Sequence, residues 1–490
     1  MSGHVTVPTW LAVLVVLLAA WALVDRLLMP SARWLLRSRA NAVLDEVGRR
    51  LKIRIRPFQQ VRRQALIDRL IFDDKVQLAM QAFADAKGMP REVALAQVQR
   101  YAREIVPAFN AFVYFRIGYW IAKRVSRALY RVRIGFTDDA GLEAIPDDAT
   151  VVFVMNHRSN MDYVVASWLA AERAALSYAV GEWARVWGLQ QLIRAMGAYF
   201  VRRDSKDELY RRVLERYIAM ATEAGVTQAV FPEGGLTKDG RLGAPKLGLI
   251  DYMLKGFDER EGEERRDILF IPVGINYDRV LEDRTQLGRL DAQGPRVGRG
   301  RALATLVGFI GSNLWLMLRG RWYRFGYACV NFGSPVSMRR YVRERGVELA
   351  GLDEAARKEE VAALGRRLMQ AIGAVIPVVP VALVAQVFRR EPERALSELE
   401  IKSAACGLLR EWEARGAHIY IPRHDQDYAI GVGLRMLTLR RIVVECDGLF
   451  VPVAENLPVL AYYANSVAHF GGEVARAVPV AETAIAPATS

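Results

Sequence analysis

Five short apolar runs with helical text between them constrain this chain more than any other feature. They are Val151–Met155, Ala198–Val201, Gln228–Phe231, Ile268–Val273 and Tyr327–Asn331, and β-branched or aromatic residues recur in them. Their alternation with helices over residues 135–340 predicts an α/β domain: a mixed, largely parallel sheet flanked by helices. Open sheets of this kind bind ligands at the carboxyl ends of their strands. The first run passes directly into Asn156-His157-Arg158-Ser159-Asn160-Met161-Asp162, which puts a histidine at a strand end. If Ser159 or Asn160 caps the next helix, that helix starts at Met161 or Asp162, and the carboxylate can fold back onto the imidazole. A carboxylate on one ring nitrogen leaves the other to take a proton from a hydroxyl. The plainer alternative is a satisfied core histidine beside an ordinary first-turn acid.

Three further strand ends carry polar or unusual residues. Gly197-Ala198-Tyr199-Phe200-Val201 ends in Arg202 and Arg203, whose guanidinium forks suit a phosphate. Phe231-Pro232-Glu233-Gly234-Gly235-Leu236-Thr237-Lys238-Asp239-Gly240-Arg241 is a sharp turn where backbone N–H groups can face a ligand, with two cations beside it. Ile271-Pro272-Val273-Gly274-Ile275-Asn276-Tyr277-Asp278 is apolar, fit to line an acyl channel or to fill the core.

The flanks set the setting. Residues 7–24 are almost wholly apolar, with no Lys or Arg before them and Arg26, Arg33, Arg37 and Arg39 after. That asymmetry predicts a retained membrane anchor over 1–30 with the bulk of the chain on the cytoplasmic side. Residues 31–134 read as a helical region whose aromatic run Phe112–Trp120 meets Arg124, Arg127, Arg131 and Arg133 at a helix end, a pattern suited to anionic phospholipid. Ala302–Leu318 is a second apolar stretch, short and glycine-containing, read as interfacial or re-entrant. Residues 341–470 read as a C-terminal helical region, and 471–490 as a disordered tail. The net charge of +14 predicts anionic partners. No nucleic-acid motif or zinc-ligand spacing is present. Three scattered cysteines suit a reducing compartment.

Taken together, in order and spacing, the four strand-end blocks resemble those of the HxxxxD glycerolipid acyltransferases. Within that family the chain is most similar to the large membrane-bound glycerol-3-phosphate acyltransferases. His157-Arg158-Ser159-Asn160-Met161-Asp162-Tyr163 is close to their HRSHMDY, and Gly197–Arg203 to their GAFFIRR. The distant Tyr462-Tyr463-Ala464-Asn465-Ser466-Val467-Ala468-His469 is close to their YYxNxxxH. The third block departs from their EGGRSRTGR, with Leu236, Thr237 and Lys238 in place of Arg, Ser and Arg. The resemblance implies transfer of an acyl group from acyl-CoA or acyl carrier protein to the sn-1 hydroxyl of glycerol 3-phosphate, without metal or cofactor. It implies His157 as general base with Asp162 orienting it. Arg158, Ser159, Arg202, Arg203, Glu233, Gly234, Gly235, Thr237, Lys238 and Arg241 are then expected to bind substrate, and Ile271, Pro272 and Val273 to line the acyl channel. The alternatives are a lysophosphatidate acyltransferase and a non-catalytic protein that binds anionic lipid.

Overall fold

A computed structural model describes residues 56–170, 175–181, 189–202, 205–257, 266–288 and 325–471. The anchor expected over 1–30, the stretch Ala302–Leu318, Arg203 and the tail from 472 lie outside the described residues. No helix among the described residues is long and apolar enough to cross a membrane.

At the centre is an eight-stranded mixed sheet. Its strands are β1 (Arg131–Thr137), β2 (Thr150–Met155), β3 (Ser177–Val180), β4 (Tyr199–Phe200), β5 (Gln228–Val230), β6 (Ile268–Tyr277), β7 (Tyr327–Phe332) and β8 (Val336–Ser337). The order is β1-β7-β6-β2-β5-β3-β4, with β8 on β6. β6, β2, β5, β3 and β4 run parallel. β7 and β8 are antiparallel to β6, and β1 is parallel to β7. All five predicted strands are present, and β6 continues to Tyr277, beyond the predicted end at Val273.

Three strands of the central sheet, β1, β3 and the two-residue β8, escaped the sequence reading. β3 is only four residues long. In β1, Arg131 and Arg133 were expected at the end of a helix; that helix stops at Leu129, and both arginines lie on the strand. Charge on an exposed edge strand hides its β character and also discourages edge-to-edge pairing.

Alternation along β2 separates two cores. Val152 and Val154 face one cluster; Val151, Phe153 and Met155 face the other. The first cluster takes in helices α1 (Arg63–Ile71), α2 (Asp74–Lys87) and α3 (Arg91–Ile105), together with much of Glu354–Val375. The second takes in Pro380–Arg390, Glu398–Ala414, Gln426–Leu439 and Leu457–Asn465. A fully buried Val or Leu contributes on the order of 1.5–3 kcal/mol, so the flanking helices are as much part of the core as the sheet. The terminal regions are therefore layers of one body. The C-terminal layer is not wholly helical: β9 (Leu396–Ser397), β10 (Val443–Cys446) and β11 (Leu449–Pro452) form a small antiparallel sheet.

Close backbone approach fixes Gly274 in β6, where a Cβ would stand 2.1 Å from the Val375 carbonyl oxygen. Helix Glu354–Val375 can settle on the sheet only because that side chain is missing.

Candidate active site

β2 ends at Met155, and the chain continues its ladder through a side chain. Asn156 Nδ2 donates to the Ile275 carbonyl and Oδ1 accepts from the Ile275 N–H, both at 2.8 Å. This pins the next residue, His157, at the carboxyl edge of the parallel strands. Helix α4 (Tyr119–Leu129) packs on helix α5 (Met161–Ala170), which opens one turn later. Ser159 caps α5: its Oγ accepts from Met161 N–H at 3.1 Å and its carbonyl from Asp162 N–H at 3.0 Å. Met161 is thus the first helical residue, one of the two starts the sequence allows.

Asp162 folds back as expected. Its Oδ2 lies 2.9 Å from His157 Nδ1 and also accepts the N–H groups of Arg158 at 2.7 Å and Ser159 at 2.9 Å. Its Oδ1 accepts the Tyr277 hydroxyl at 2.6 Å. Both His157 and Asp162 are buried. With Asp162 Oδ2 as its acceptor, Nδ1 carries the proton, which leaves Nε2 free to accept one. The imidazole is stacked on Phe231 at 4.1 Å between ring centres, with Tyr163 edge-on at 5.2 Å. Burial and the neighbouring Asp162 carboxylate push the Tyr277 hydroxyl well above its ordinary range, so it stays a donor.

The third block is stitched to the first. Glu233 Oε1 accepts the His157 N–H at 2.7 Å and Oε2 the Gly243 N–H at 2.9 Å, while Thr237 N–H donates to the His157 carbonyl at 2.9 Å. Burial pushes Glu233 up to about 7, against the opposing pull of those two N–H groups and of Arg158. Thr237 Oγ closes the loop, donating to the Arg241 carbonyl at 2.7 Å and accepting from Gly240 N–H at 3.1 Å. Lys238 and Arg241 are exposed on this loop, and Asp239 stands 3.7 Å from Arg241 Nε. Gly234 N–H donates to the Phe231 carbonyl at 2.9 Å. Leu236 and Gly235 are half-buried in the same turn.

The Arg158 side chain is buried; Nη1 donates to the Gly240 carbonyl at 2.9 Å, and the guanidinium lies 5.0 Å from the centre of the Tyr462 ring. Its Nε and Nη2 have no hydrogen-bond partner among the described residues. Gly240 has φ +87°, and a Cβ there would stand 1.9 Å from the Tyr462 carbonyl oxygen. Asn465 Nδ2 donates to the Asp239 carbonyl at 2.8 Å. The C-terminal segment, 226 residues away in sequence at Asn465, thus braces the third block. Its histidine, His469, donates from Nε2 to the Gly373 carbonyl at 2.9 Å, and burial drives it down to about 4.

Several expectations change here. Arg202 was expected to face a phosphate; instead its Nε and Nη2 form a fork on Glu104 of α3 at 2.9 and 2.6 Å. Ile271, Pro272 and Val273 were expected to line an acyl channel, but they sit buried mid-sheet in β6 between filled faces. The N–H groups of Gly234 and of Arg158, Ser159, Asn160 and Met161 are committed to Phe231, Asp162, Glu282 and Ser159. Two residues were missed. Tyr277 stands within an apolar block that reads as core. Glu282, in a loop without any motif, accepts Ser159 Oγ at 2.8 Å and Asn160 N–H at 3.1 Å, holding the outer side of the turn.

Residues 137–276 match the profile of the Acyltransferase family, and 313–472 that of the glycerol-3-phosphate acyltransferase C-terminal region. The second match contains Tyr462 and Asn465, which brace the third block. An acyltransferase match and a match to the C-terminal region of glycerol-3-phosphate acyltransferases thus follow one another along this chain. Similar curated proteins include a glycerol-3-phosphate acyltransferase of Xylella fastidiosa (strain M12), 25% identical over 420 residues. The enzyme of that name from Ectopseudomonas mendocina is 28% identical over 424 residues. Each alignment covers 83% of this chain but only 47% and 49% of the relative, so the chain spans about half their length. The solved 1-acyl-sn-glycerophosphate acyltransferase of Thermotoga maritima covers 64% of this chain and 96% of its own, at 18% identity and a TM-score of 0.30. That likeness is too slight to build on.

Proposed function

We propose that this protein acylates the sn-1 hydroxyl of glycerol 3-phosphate from a thioester donor, acyl-CoA or acyl carrier protein, giving lysophosphatidate. The observation that carries this reading is Asp162 Oδ2 at 2.9 Å from His157 Nδ1. His157 Nε2 takes the hydroxyl proton as the oxygen attacks the thioester carbonyl. Asp162 holds the tautomer and stabilises the imidazolium that forms. As the tetrahedral intermediate collapses, the C–S bond breaks and the imidazolium returns its proton to the leaving thiolate. Glu233 acts one step back, because it holds the backbone of His157 rather than the substrate. Arg158, with two guanidinium nitrogens lacking a partner among the described residues, supplies charge for the acceptor phosphate together with Lys238 and Arg241. The relatives' name, glycerol-3-phosphate acyltransferase, supports this acceptor. We place the protein at the cytoplasmic face of a membrane, on the strength of the apolar N-terminal sequence and the arginines that follow it.

The test is an acyl-transfer assay on the membrane-reconstituted full chain, with glycerol 3-phosphate and lysophosphatidate as rival acceptors and each donor in turn. Turnover with glycerol 3-phosphate that disappears in His157→Ala supports the proposal. Turnover with lysophosphatidate alone, or none with either, overturns it.

A further inference from the structure

From Val106 through Thr137 the chain contains no Asp or Glu, yet it carries Arg116, Lys123, Arg124, Arg127, Arg131 and Arg133. Five of the thirteen strongly exposed large apolar side chains among the described residues fall between Ile117 and Phe136. Those on the helix share its outer side with cations: Ile117 is 41% exposed, Trp120 59% and Val125 37%, beside exposed Arg116 and Arg124. The inner side, with Phe115, Gly118, Ala122 and Ser126, is buried. Cations lie over rings on this helix, Arg124 at 5.6 Å from the Trp120 centre and Lys123 at 5.1 Å from Tyr119.

We infer that the outer face of α4, with the turn before it, docks on an anionic phospholipid bilayer. A bilayer meets both halves of the pattern: indole and aliphatic side chains sit at the headgroup boundary while Lys and Arg reach lipid phosphates. An acidic protein surface would answer the cations but leave Trp120 and Ile117 without apolar cover. Chain connectivity points to the same face. After the apolar sequence 302–318, the described fold resumes at Phe325, whose N–H donates to the Leu129 carbonyl at the end of α4 at 2.8 Å. The docked face is also coupled to the site. α4 packs on α5, whose first turn bears Asp162, and the Arg127 guanidinium lies 5.5 Å from the Trp168 ring centre. Docking therefore fixes how the carboxyl edge of the sheet faces the lipid. The inference goes beyond the acyl-transfer reading and does not depend on it, since it is read from lipid proximity rather than turnover.

The experiment uses the full chain in vesicles of phosphatidylglycerol and phosphatidylcholine, so the N-terminal sequence is present in every arm. On a Cys406→Ser, Cys446→Ser background, an environment-sensitive fluorophore is placed at Trp120→Cys or, keeping the indole, at Ile117→Cys. Leu399→Cys, 77% exposed on another helix, is the control. Nitroxide-labelled lipid should quench both α4 reporters well above the control. Lys123→Glu with Arg124→Glu should cut that excess roughly tenfold or more in anionic vesicles, as expected for lost charges near an anionic surface. Quenching no greater than at Leu399 for both reporters overturns the inference, as does equal quenching in pure phosphatidylcholine that ignores the charge reversals. Protection of the reporters by an acidic carrier protein, without lipid quenching, also overturns it and assigns the face to protein.

Discussion

Two strand ends, at β2 and β4, carry charged motifs that look alike on paper, and the fold treats them differently. At the end of β2, Asp162 collects four donors, from His157, Arg158, Ser159 and Tyr277. Every one serves to hold a single imidazole. At the end of β4, Arg202 spends its fork on Glu104, contributed by a helix 98 residues earlier. The first charge is built into a network that holds the proposed base; the second ties the N-terminal layer to the sheet edge. Motif membership thus does not settle a role, because a charge acts on whatever partner the tertiary structure supplies.

The contrast can be broken at four points, in descending size of effect. His157→Ala removes the base and should lower turnover roughly 10³-fold or more with circular dichroism unchanged; near-normal turnover would leave the β2 network merely structural. Glu233 should show itself through pH. Its pKa, raised from the ordinary 4.5 to about 7, favours the folded state fully below 4.5, and that contribution is lost as pH rises through 7. The stability of the wild type relative to Glu233→Gln should therefore fall between pH 4.5 and 7, by up to about 1.4 kcal/mol per pH unit, in denaturant titrations. A flat difference would mean that Glu233 is charged throughout.

Tyr277→Phe is smaller. It leaves Asp162 Oδ1 one donor short in a buried site, which costs about 1–3 kcal/mol. Part of that should appear as a roughly tenfold lower turnover number with an unaltered Michaelis constant, whereas a purely structural tyrosine would lower only the melting temperature. Arg202→Ala should be the mildest. The pair is partly exposed, so its loss is expected to cost on the order of 1 kcal/mol of stability. The Michaelis constant for glycerol 3-phosphate should hold. A rise of ten- to a hundredfold, as for a lost phosphate contact, would place Arg202 on the substrate and erase the contrast drawn here.

Periodicity and strand-end chemistry were enough, from sequence, for the mixed sheet, a cap at Ser159 or Asn160 and the pairing of His157 with Asp162. These are local: a strand, a turn and a first helical residue lie within about one helical turn of each other, and short-range geometry leaves few arrangements. The roles of Tyr277, Glu282 and Tyr462 were not legible. Each touches the His157–Asp162 turn only through long-range packing, at separations of 115, 123 and 304 residues. Residue type carries no sign of such contacts, since a tyrosine in an apolar strand reads as core whether or not its hydroxyl meets a carboxylate. The fate of Arg202 was decided in the same way, by α3 bringing Glu104 within 2.6 Å. Local sequence determined which groups could do chemistry; the stacking of distant layers decided which of them were left free to do it.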